Sequence, residues 1–73
     1  MKHEYLLSAL VDKYRGEISV ARANIDVYLS NPSGIGEHPD IIGAMDEQLS
    51  KLAEADEKVD TLLKYYPILQ TRK

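Results

Sequence analysis

Apolar side chains recur along this chain at alternating intervals of four and three residues. In the first half the repeat runs through Leu7, Val11, Tyr14, Ile18, Ala21, Ile25 and Tyr28. In the second it runs through Ile42, Met45, Leu49, Leu52, Val59, Leu63 and Tyr66, with a charge, Asp56, at one position. Such spacing lays a stripe along one face of an α-helix and is the pattern of a coiled-coil seam. It predicts one helix over about 4–30 and a second over about 39–66, each roughly 40 Å long at about 1.5 Å per residue. Between them, Ser30 to Asp40 holds two of the four glycines and two of the three prolines, which predicts a loop over 31–38. Pro67 ends the second helix and leaves a short tail, 67–73. The expected fold is all-α: residues 1–73 form a single domain, a coiled-coil-like antiparallel hairpin of two helices.

Folding the hairpin about its loop pairs positions whose numbers sum to about 70. Tyr28 then meets Ile42, Ile25 meets Met45, Ala21 meets Leu49, and Ile18 meets Leu52. Tyr14 falls opposite Asp56. Two arrangements are open there: the phenol donates to a buried carboxylate and fixes the register, or Asp56 turns to solvent and Ala55 takes the core position. Each helix also carries a second, fainter stripe, with Leu6, Leu10, Val20 and Val27 on the first and Ile41, Ala44, Ala55 and Leu62 on the second. A stripe wider than a two-helix seam marks a helix with more than one neighbour. The simplest way to cover it is a four-helix bundle of two hairpins, so a homo-oligomer is expected, with a dimer favoured.

Composition sharpens this expectation. A chain of 73 residues needs a staple, and the absence of cysteine removes disulfides and thiolate metal sites, leaving association. Five tyrosines are the only aromatic residues, so Leu, Ile, Val and Ala must fill the seams. A net charge of -3 argues against a nucleic-acid partner, because phosphate binding needs a basic face. Neither a membrane-spanning run nor a signal-peptide pattern is present, and a cytoplasmic location is expected.

Candidate chemistry is sparse. Gly34-Ile35-Gly36 before a helix resembles an anion cradle, but Glu37 and Asp40 put negative charge where an anion would sit. His38-Pro39-Asp40 reads best as a helix start, with Pro in the first turn and His38 or Asp40 as the cap. The same tripeptide is the signature of J-domains. Here, though, Gly34-Ile35-Gly36-Glu37 stands where a J-domain has its basic helix. The acidic residues of the second half alternate with Lys51, Lys58 and Lys64, as on a solvated helix face. No Glu has a His three residues on, as a bundle-held metal pair requires. No catalytic, cofactor-binding or metal-binding residue is assigned, and no enzyme activity is expected. The tail is the strongest candidate for docking another protein: Tyr65, Ile68, Leu69 and Arg72 form an apolar and basic cluster. The competing reading is that the tail folds over the end of the hairpin.

The stretch Asn24-Ile25-Asp26-Val27-Tyr28-Leu29-Ser30-Asn31-Pro32, with Gly34-Ile35-Gly36-Glu37-His38-Pro39-Asp40-Ile41 after it, resembles a pattern in small uncharacterised helical-hairpin proteins of tailed bacteriophages, marine ones in particular. The likeness covers about the middle third of the chain and carries over no site residues. It implies an infected bacterial cytoplasm, or a virion, as the setting. The function expected first is a non-enzymatic, self-associating interaction protein that binds and modulates a host protein. The alternatives are an oligomeric binder that sequesters a nucleotide signal, for which Tyr5, Arg15, Arg22, Tyr65 and Arg72 are the candidate contacts, and a small virion component.

Overall fold

The computed structural model describes residues 3–30 and 40–71, and two long helices packed as a hairpin dominate it. Helix α1 spans Glu4–Ser30 and helix α2 spans Ile41–Tyr65; a 3-10 turn, Pro67–Thr71, follows. The expected loop, 31–38, lies outside the described residues, as do His38 and Pro39 of the expected helix start. Asp40 is the cap of α2: its carboxylate accepts from the Gly43 N–H at 2.7 Å, and its carbonyl accepts from Ala44 N–H at 3.1 Å. A Cβ at Gly43 would require that carboxylate to shift from its present position.

The α1 seam lies where the periodicity puts it. Val11 and Ala21 are buried, and Leu7, Tyr14, Ile18, Ile25 and Tyr28 are half-buried. In α2 the residues turned toward α1 are Ile41, Met45, Gln48, Leu52, Ala55, Val59 and Leu62, with Ala55 and Val59 fully buried. The sequence-based seam shares Met45, Leu52 and Val59 with this set. Ile42, Leu49 and Tyr66 instead lie outside it, at 78%, 54% and 42% exposure, and Leu63 sits half-buried at its edge. Moving every other contact back by one residue turns α2 by roughly 50° about its axis, since each residue advances about 100°.

Three contacts account for this rotation. Asp56 is exposed, and Ala55 replaces it in the core at 1% exposure, so the expected Tyr14–Asp56 contact does not form. Gln48 enters the seam because Asn24 meets it, donating from Nδ2 to Gln48 Oε1 at 3.1 Å. Lys58 lies over the Tyr14 ring at 5.1 Å. The pairs Asn24–Gln48 and Tyr14–Lys58 both join positions whose numbers sum to 72, two more than the pairing first expected. Keeping a carboxylate out of the core avoids a penalty of several kcal/mol. Ile41 takes the place of Ile42 in the seam, so the burial forgone is chiefly that of Leu49, about 1.5–3 kcal/mol.

The tail folds back over the open end. Leu69 is 5% exposed, and the Gln70 amide donates to the Leu63 carbonyl at 2.8 Å, satisfying one of the free acceptors at the end of α2. The result is a rod of 50 × 17 × 15 Å. Its radius of gyration is 15.7 Å, against about 11 Å for a compact chain of this length. It exposes 5574 Å², against about 4500 Å² for a compact monomer of this mass. Neither described helix is long and apolar enough to cross a membrane.

Candidate interaction surfaces

A two-helix hairpin has two broad faces, set by which side of the seam a residue flanks. In an antiparallel pair, residues just before the seam positions Val11, Ile18 and Ile25 share a face with those just before Met45, Leu52 and Val59. Leu10, Glu17, Asn24, Lys51 and Lys58 are on this side, and two shallow grooves run along it. One, of about 400 Å³, is lined by Leu10, Tyr14, Glu54, Lys58 and Leu62 among others. The second, of about 600 Å³, is lined by Lys13, Glu17, Val20, Asn24, Gln48 and Lys51 among others.

This groove face is apolar at its ends and charged in its middle. Lys13–Glu17 at 2.6 Å, Glu47–Lys51 at 3.5 Å and Glu54–Lys58 at 3.1 Å all lie on it, and all are solvent-exposed. The Lys13 and Lys58 ammonium groups sit 5.0 and 5.1 Å from the Tyr14 ring centre. Both lysine pKa values are raised above the ordinary 10.5, first by the hydrogen bond to Glu17 or Glu54 and then by the same carboxylate's charge. Pairs one helical turn apart and open to water orient side chains and add little stability.

The opposite face carries Asp12, Arg15, Arg22, Asp26 and Leu29 from α1 and Ile42, Asp46, Leu49, Asp56, Asp60 and Leu63 from α2, so acidic residues outnumber basic ones on it. Leu29 is 64% exposed. Among the described residues, the ion pairs are the three on the groove face, so Arg15, Arg22 and Asp56 have none.

At the open end the expected partner patch divides. Tyr65 and Ile68 are exposed, at 66% and 40%; Leu69 is buried beneath the tail, and Arg72 lies outside the described residues. Leu69 is therefore a packing residue, a correction to its place in the patch. Tyr5 and Leu6 are also exposed at this end, where His3 meets the Tyr5 ring edge-on at 6.3 Å between centres. The candidate nucleotide contacts are not brought together: Arg15 and Arg22 point to one face, and Tyr65 flanks the other. Among the described residues, no three of the His, Asp and Glu side chains cluster as metal ligands do.

The Asn24–Gln48 pair was missed in the sequence reading. Its signal is an amide at a seam position of one helix with a second amide beside the seam of the other. Comparison with known protein families, curated proteins and solved structures gives no match.

Proposed function

We infer that this chain is a non-enzymatic interaction protein that works as an assembly of hairpins, two of which pair into a four-helix bundle, and that it binds and modulates another protein. The observation that carries the reading is the imbalance between core and surface. Among the described residues, five apolar ones are buried (Val11, Ala21, Ala55, Val59 and Leu69), whereas eleven large apolar ones are exposed, from Tyr5 to Ile68. A scattered apolar residue on a surface means little, but a contiguous set marks a contact surface. Both broad faces and the open end carry such residues (Leu10 and Val20 on one face, Leu29, Ile42 and Leu49 on the other), which suits self-pairing along the rod and a partner protein at the end. The resemblance to hairpin proteins of tailed phages supports a host protein as that partner and an infected bacterial cytoplasm as the setting.

The test places a photo-crosslinking residue at Tyr5 or Ile68 in cells that make the full chain. The expected result is one recurrent host protein, lost when Ile68→Asp is combined with the probe at Tyr5. Cross-links to copies of this chain alone would contradict a host partner, and recovery of the chain in purified particles would favour a virion component.

A further inference from the structure

The charges of the groove face fall in bands across the rod. Pairing Asn24 with Gln48 and Tyr14 with Lys58 sets Lys58 level with position 14 of α1, Glu54 with 18, Lys51 with 21 and Glu47 with 25. From the open end toward the loop the face therefore reads positive (Lys13, Lys58), negative (Glu17, Glu54), positive (Lys51) and negative (Glu47), at intervals of about 6 Å. Turned end for end, this order becomes its own complement. We propose that the groove face is covered by a second copy of this chain lying antiparallel, α1 on α1 and α2 on α2, about a twofold axis near Val20. This rests on the self-association inferred above and adds which face is used and in which direction.

About that axis Glu47 of each copy meets Lys58 of the other, and Lys51 meets Glu54. On α1, Val20 meets its own copy and Leu10 meets Val27, all three exposed in the single hairpin. One axis thus matches charged and apolar positions together. The groove of about 600 Å³, lined by Val20, Gln48 and Lys51 among others, lies at it. Glu57, at the outer rim of the other groove, also comes level with Glu47 of the second copy, but Lys58 is the residue that faces it. Parallel pairing puts α1 on α2 and brings level residues together, Lys13 against Lys58 and Glu17 against Glu54, like charge on like. The opposite face carries apolar residues too, and its charge excludes self-pairing. Five aspartates stand there against two arginines, and on α2 it holds Asp46, Asp56 and Asp60 with no basic residue. Parallel pairing would set Asp12 against Asp60 and Asp26 against Asp46; antiparallel pairing of α2 on α2 would offer those carboxylates only one another.

Light scattering on the full chain tests the face, with circular dichroism to check that each variant stays helical. Val20→Asp, which puts two carboxylates at the axis, is expected to raise the dimer dissociation constant at least about 100-fold, and Leu49→Asp on the opposite face to leave it unchanged. If Val20→Asp leaves the dimer intact, or Leu49→Asp dissociates it, the face is wrong. Glu47→Lys and Lys58→Glu should each weaken the dimer, and together restore it. Nitroxide labels on Lys64→Cys are expected about 35 Å or more apart, against under about 30 Å in a parallel pair. The shorter separation, or no recovery in the double charge swap, overturns the direction. A mass above two chains overturns the two-copy arrangement. A wild-type monomer at every concentration removes the self-association itself, a different failure.

Discussion

Asp40 and Gly43 act as one unit. The carboxylate takes the Gly43 N–H, and a methyl group at position 43 would collide with it. Asp40→Ala should therefore cost about 1 kcal/mol in urea unfolding. Gly43→Ala, which in an open helix interior would stabilise by about 1 kcal/mol, is expected to gain less than that here because the Asp40 carboxylate must shift; the full gain in the unfolding midpoint would show that the cap adjusts freely. Lys13 and Lys58 carry a second residue-level consequence. Their raised pKa values mean that folding favours the charged ammonium. That contribution is complete below pH 10.5 and is lost as pH rises past it. Unfolding midpoints of the wild type should fall in that window more steeply than those of a Lys13→Met, Lys58→Met double variant, and parallel curves would contradict the linkage.

Within the elements, the amide pair sets register more than it adds stability. Asn24→Leu leaves the half-buried Gln48 amide without its partner and should cost about 1 kcal/mol, whereas Asn24→Leu with Gln48→Leu should recover most of that. Leu69→Ala, which empties a buried position of the tail, should cost about 2 kcal/mol. The helices and the α1 seam were legible because one apolar frame of α1 is unbroken, whereas its fainter second stripe is interrupted at Lys13 and Glu17. The α2 seam was not, because apolar residues on α2 fill two adjacent frames and periodicity cannot choose between them. Gln48 looked too polar for the core until Asn24 was placed against it. The tail was legible only as an alternative, since a Leu that folds back and a Leu that docks a partner read alike in sequence.

Across the whole molecule, an elongated rod with small buried residues and exposed large ones is what the proposed pairing of hairpins requires of each half. Leu52 and Ile18, half-buried in the hairpin seam, should be among the most sensitive positions. Leu52→Asp, and Ile18→Asp on α1, are expected to unfold or dissociate the assembly, read by circular dichroism and mass; a variant that stays folded and paired would move the core elsewhere. The end proposed to dock a partner is a separate surface, so Ile68→Asp should leave both properties intact. The most direct test of the account is the solution mass of the wild-type chain, by light scattering across a dilution series. The account predicts about 16 kDa, two chains of 8.2 kDa, falling toward one chain only on dilution. A folded species of 8.2 kDa at every concentration would contradict it.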